Sequence, residues 1–155
     1  MIVDVSRKKS SPLSPLLIDG RTVEIVQHFK FLGSTISNNL IWEIHIDTVV
    51  KKAQQRLYFL RRLRSFGLTT QIMLTFYRAA IESVLTFSLT VWFGSVTVKE
   101  KVRLNRVVKT ASRIMGRELP SLESLYQQRL SGRAVLISHD SSHPAHVLFD
   151  PLPVA

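Results

Sequence analysis

His45 and Asp47 sit two residues apart, and His139, His143 and His146 lie far downstream. Two histidines and a carboxylate can hold non-haem iron. The spacing argues against that chemistry here. His45 and Asp47 fall at the start of a helical pattern, where side chains two apart point about 200° from each other. Asp47 is better read as a first-turn carboxylate favoured by the helix dipole. The downstream histidines, in the run HDSSHPAH, read as a turn. No metal site and no cofactor are expected. Other catalytic patterns are missing as well. The sequence has no adjacent pair of carboxylates for two-metal phosphoryl transfer, no Gly-x-Ser-x-Gly elbow and no glycine-rich phosphate loop. No catalytic residue and no small-molecule substrate are expected.

Binding to phosphate has more residues to draw on. Ile46, Val49, Val50, Ala53, Leu57, Leu60 and Leu63 recur at three- and four-residue steps and make one helical stripe. At 100° per residue, Lys51, Gln55, Tyr58 and Arg62 fall opposite it, with Lys52 and Arg56 flanking them. Cations with an aromatic among them suit a sugar-phosphate backbone, and Tyr58 is available to stack. A solvated helix face would show the same pattern. A later segment holds Lys99, Lys101, Arg103, Arg106, Lys109, Arg113 and Arg117 against Glu100 alone. Leu104, Val107, Val108, Ala111 and Ile114 supply its apolar side. Such a cationic surplus self-repels unless anions are near, which favours nucleic acid over the solvated face.

The elements that must carry these residues change character at Trp42. Before it the chain reads as β: the run MIVDV, two β-prone runs around Asp19-Gly20, and FKFLGSTI. Asp-Gly favours a hairpin turn, and Gly33 marks a bulge or a close backbone approach. After Trp42 the pattern is helical. The first helix ends at Gly67, and a second runs from about Gln71 to Phe93 behind Thr69 or Thr70. A third opens on Thr97 and Glu100, at capping-box spacing, and stops at Gly116. Pro120 and Ser121 open a fourth through LESLYQQRL. The expected fold is α+β and mostly α. A small antiparallel layer of three short strands spans residues 1–40, about four bundled helices span 41–137, and a partly ordered tail spans 138–155.

Bulk properties agree with a basic binding protein. The chain has 155 residues, no cysteine and a net charge of +10. A polyanionic partner fits that charge, and the missing cysteines exclude a disulfide scaffold. Residues 79–98 are apolar-leaning but carry Glu82 and several Ser, Thr and Gly, so they read as a buried helix and no membrane partner is expected. No targeting signal is visible, which points to the cytoplasm or the nucleus.

The ordered series MIVDV, FKFLG, KKAQQRLYFLRRLRSFGL, FYRAAIESVLTFSLTVWFGS, LNRVVKTASRIMG and SHPAHVLF resembles the reverse transcriptase of non-LTR, LINE-type retrotransposons of the fish type. The resemblance implies the region after the catalytic palm motif. Phe31, Leu32 and Gly33 would be the primer-grip turn, and the helices from Trp42 onward the thumb. The family's catalytic carboxylates lie upstream of any residue present, so the chain is expected to be a truncated, non-catalytic fragment. It would bind RNA or DNA backbone without regard to sequence through Phe31, Leu32, Gly33, Lys51, Lys52, Arg56, Tyr58, Arg62, Lys99, Arg103, Arg106, Lys109 and Arg113. The alternative is a helical protein-interaction module that docks through its exposed β face, and self-association through that sheet is expected. A shorter segment, KKAQQRLYFLRRLRSFGL, also resembles the helical domain named after the N-terminus of the AlkB-type tRNA dioxygenase-methyltransferase. Neither a jelly roll nor a methyl-donor-binding unit accompanies it.

Overall fold

The computed structural model describes residues 1, 3 and 15–149. Most of the expected first strand, over residues 1–5, and the end of the tail lie outside them. The described chain is α+β and mostly α. Four short strands precede the helices: β1 Leu17–Ile18, β2 Arg21–Thr22, β3 His28–Phe31 and β4 Ser34–Ser37.

They form two separate antiparallel hairpins, β1-β2 and β3-β4, not one three-stranded layer. The first turns at Asp19-Gly20, as its sequence requires, with both residues at positive φ. The second corrects the expectation for FKFLGSTI. That run is not a single strand with a bulge, because Leu32 (φ +44°) and Gly33 (φ +87°) reverse the chain in its middle. Leucine at the first turn position hides the signal that Asn-Gly or Asp-Gly would have given.

Helix α1, Glu43–Ser65, buries Ile46, Val49, Val50, Ala53, Leu57 and Leu60 of the expected stripe, with Leu63 partly buried at its end. Helix α5, Val98–Met115, packs along it and buries Leu104, Val107, Val108, Ala111 and Met115. Its capping box forms as its spacing demands. The Glu100 backbone N–H donates to Thr97 Oγ1 at 3.3 Å, and the Thr97 N–H donates to Glu100 Oε2 at 2.7 Å. Gly116 closes the helix in the left-handed conformation.

The expected second helix is not continuous. Helix α2, Thr70–Phe76, passes into a π-helical turn, Tyr77–Glu82, then into the short α3, Ser83–Leu85. The chain then breaks, with Ser88 at φ +49°, before α4, Leu89–Trp92, and a 3-10 turn, Phe93–Ser95. The break is held by partners from elsewhere. Trp92 Nε1 donates to the Phe87 carbonyl at 2.9 Å. From the last helix, Arg129 donates to the Thr86 carbonyl at 2.6 Å and to Thr86 Oγ1 at 2.9 Å. The Arg129 bonds add to the Leu89 N–H that the Thr86 carbonyl accepts at 3.3 Å and tie the break to the last helix. The helical stretch Thr70–Ser95 is long and apolar enough to cross a membrane by length and composition, with mean hydropathy 1.3. Here Met73, Tyr77, Ile81, Leu85, Leu89 and Trp92 are buried in the core shared with α1 and α5.

Helix α6, Leu122–His139, is capped by Ser121 and runs well past Leu130, farther than expected. A 3-10 turn, His146–Phe149, folds back on it, with His146 Nδ1 lying 3.1 Å from the Ile137 carbonyl.

Candidate nucleic-acid interface

The packing of α1 on α5 divides the predicted basic residues among several surfaces. Lys51 faces α5. With Asp47, Val50, Gln54, Arg103 and Arg106 it lines a groove of 270 Å³. A second depression of 260 Å³, lined by Gln54, Leu57, Arg61, Arg106, Val107 and Thr110, shares Gln54 and Arg106 with the first. Together they make one track along the α1–α5 seam, carrying Lys51, Arg61, Arg103 and Arg106. Arg61 was not among the sequence candidates. The signal for it was the seven-residue step from Gln54, which keeps both residues on one side of α1.

Only two ion pairs form among the described residues. Arg103 Nη2 donates to Asp47 Oδ1 at 2.6 Å, so this predicted phosphate ligand is already partnered. Lys101 Nζ lies 3.8 Å from Glu123 and 5.0 Å over the Phe93 ring. Among the described residues, no carboxylate lies within ion-pair distance of Lys51, Arg61 or Arg106. A concave seam with three such cations and one carboxylate presents a net positive field to solvent.

Lys52 and Arg56 face the other way, which corrects the single stripe drawn for α1. With Gly33, His45, Thr48, Ser83 and Phe87 they line a cleft of 420 Å³ between α1, the β3-β4 turn and α3. The Arg56 guanidinium donates to the Ala80 carbonyl in the π-helical turn. It therefore ties α1 to the π-helical turn. Arg62 lies 5.0 Å over the Phe66 ring, and Tyr58 stands edge-on to Phe59 at 5.5 Å. Both are exposed and neither lines the seam. Lys99 is exposed near the start of α5, while Lys109 and Arg113 lie on the side of α5 that faces the start of α6.

Phe31 ends β3, and Leu32 and Gly33 form the turn that follows. Phe29, Phe31 and Leu32 are 55%, 55% and 78% exposed. A Cβ added to Gly33 would stand 3.1 Å from the Phe87 ring. In this chain the close approach at Gly33 is therefore to an aromatic of its own core edge.

His45 and Asp47 point to different neighbours. Asp47 meets Arg103, whereas His45 is buried beside Trp42 and Trp92 at ring distances of 5.8 and 5.4 Å. The Thr35 backbone N–H donates to His45 Nδ1 at 3.3 Å, which leaves the proton of the neutral ring on Nε2. Burial, and secondarily the Lys52 charge, push the imidazole below its ordinary value of 6.5, so His45 is neutral at pH 7. No three His, Asp or Glu side chains gather into a metal-binding group among the described residues.

A protein-family model described as "Alkylated DNA repair protein alkB homolog 8, N-terminal" matches residues 42–83. The matched stretch begins at Trp42 and covers α1, α2 and the π-helical turn, and it contains Lys51, Lys52, Arg56, Tyr58 and Arg62 but no residue of α5. No curated protein and no solved structure matches the chain.

Proposed function

We propose that this chain is a non-catalytic nucleic-acid-binding segment of a LINE-type reverse transcriptase, spanning the region of the primer-grip turn and thumb. One observation carries the binding half of this reading: the α1–α5 seam, where Lys51, Arg61 and Arg106 line one track and no described carboxylate neutralises them. The order of motifs along the chain supports the family half. The Phe31-Leu32-Gly33 turn precedes a basic helical bundle, as the resemblance implies. Such a seam meets phosphates and reads no base edges, so binding is independent of sequence.

The match over residues 42–83 fits this reading as a shared basic helical element. That segment carries no carboxylate cluster or nucleophile arrangement from which to draw an oxidation or a methyl transfer, and we assign it none.

Binding titrations over a range of salt test the proposal. Replacing Lys51, Arg61 and Arg106 together by Gln should weaken binding to duplexes of unrelated sequence alike. It should also flatten the plot of log K against log salt by about 0.9 for each phosphate no longer neutralised. Gln retains helix propensity close to that of Lys and Arg, so α1 and α5 should persist. An unchanged slope would remove the seam from the interface.

A second reading has its own observation. Leu32 sits in a left-handed conformation at a hairpin tip with Phe29 and Phe31 exposed below it, a strained and apolar arrangement that suits docking on a protein. Apolar docking is insensitive to salt, and the same titrations distinguish it from backbone binding.

A further inference from the structure

A trough of 910 Å³ lies between α5 and the start of α6, and it meets the seam at Arg106 and Thr110, which line both. Its floor is one helical face, since Val98, Val102, Asn105 and Lys109 follow one another at steps of four, three and four residues. Val98 is 78% exposed and Val102 54%, and Leu119 supplies apolar surface on the opposite wall. Lys109 and Arg113 form the rim, and no carboxylate pairs with either among the described residues. The walls are fixed by Asn105. Its Nδ2 donates to Glu123 at 2.9 Å, and its Oδ1 accepts the Leu122 backbone N–H at 3.2 Å. The trough is thus formed before anything enters it, which lowers the ordering cost of binding.

We propose that this trough docks an acidic amphipathic helix of a partner protein. Aliphatic side chains of that helix lie over Val98, Val102 and Leu119, and its carboxylates meet Lys109 and Arg113. Charge selects this occupant. A second copy of the chain brings a net charge of +10 to a cationic rim and is repelled. A phosphate backbone could meet Arg106, Lys109 and Arg113, but it would leave the apolar floor of Val98, Val102 and Leu119 uncovered, and no aromatic side chain lines the trough to stack a base. An amphipathic helix supplies apolar groups one turn apart and charges beside them, which is the pattern of the floor and rim. The inference rests on Val98, Val102, Lys109 and Arg113, none of which lines the seam, although Arg106 lines both.

The full chain is titrated with a labelled synthetic peptide in which leucines recur at i, i+4, i+7 and i+11 with glutamates beside them. A scrambled peptide of the same composition is run in parallel. The amphipathic peptide should bind at least about tenfold more tightly than the scramble. Val102→Asp, at an exposed position, should weaken binding by about tenfold. Lys109→Glu combined with Arg113→Glu should abolish it and create affinity for the same peptide carrying lysine in place of glutamate. Equal binding of the two peptides overturns the proposal, because charge alone would then account for it. So does unchanged affinity in Val102→Asp. A single-stranded oligonucleotide that displaces the peptide, and whose own binding falls in Val102→Asp, would assign the trough to nucleic acid. The comparison of peptide with scramble needs no variant, so a misfolded variant leaves the test intact.

Discussion

Leu32 and Gly33 show how far a single residue departs from local preference. Leucine at φ +44° carries a backbone cost of about 1–2 kcal/mol, and its side chain is 78% exposed, so burial returns little of it. Leu32→Asn should therefore raise stability by about 1 kcal/mol, seen as a higher unfolding midpoint. Gly33→Ala should lower it by a similar amount or more, since the position holds φ +87° and the new methyl would press on Phe87. Adding Phe87→Ala should recover only part of that stability, because it relieves the crowding and leaves the backbone strained. His45 sets a pH dependence. Its imidazole is held below 6.5 in the fold, so the unfolded chain takes up the proton more readily. The contribution is complete above about pH 6.5 and falls away as the pH drops below it. His45→Asn keeps an acceptor for the Thr35 N–H and removes the titration. Unfolding midpoints between pH 7 and pH 5 should then change less with pH than those of the unaltered chain.

At the scale of the element, α1 presents three separate polar surfaces where its sequence suggested one. Lys51 and Arg61 look toward α5, Lys52 and Arg56 toward the hairpin and α3, and Tyr58 and Arg62 toward solvent. Arg56→Gln should accordingly cost about 1–2 kcal/mol of stability through loss of the charged hydrogen bond to the Ala80 carbonyl. It should leave nucleic-acid affinity per folded molecule unchanged, and thermal melts run beside binding titrations separate the two effects. Features that rest on neighbours in sequence were legible from spacing and residue type alone. The apolar stripe of α1, the Thr97–Glu100 box, the Gly116 stop and the Asp19-Gly20 turn are all of this kind. The break at Thr86–Ser88 was not legible, because it depends on Arg129, 43 residues away. The partners of Arg56 and Arg103 escaped for the same reason. Helical periodicity says which residues face away from the core. It does not say which neighbouring helix they then meet.

For the whole molecule, net charge and exposed apolar surface work against each other. The charge of +10 keeps copies apart, while Phe29, Phe31 and Leu32 offer a hairpin surface on which they could meet. Salt shortens the reach of the repulsion to about 10 Å at 0.1 M and about 3 Å at 1 M, but spares apolar association. Size-exclusion chromatography should therefore show a monomer at low salt and a growing associated fraction as salt rises. Phe29→Thr with Phe31→Thr should suppress that fraction. The Asp47–Arg103 pair has a further consequence, in time. Its partners are 56 residues apart along the chain. At a synthesis rate of about 5–20 residues per second, a ribosome completes Arg103 about 3–11 s after Asp47. Through that interval the apolar stripe of α1 has β4 and the segments from α2 to α3 to lean on, but not α5. The helix that completes the basic seam is also the one that ends the period in which the newborn chain is most exposed to sticking.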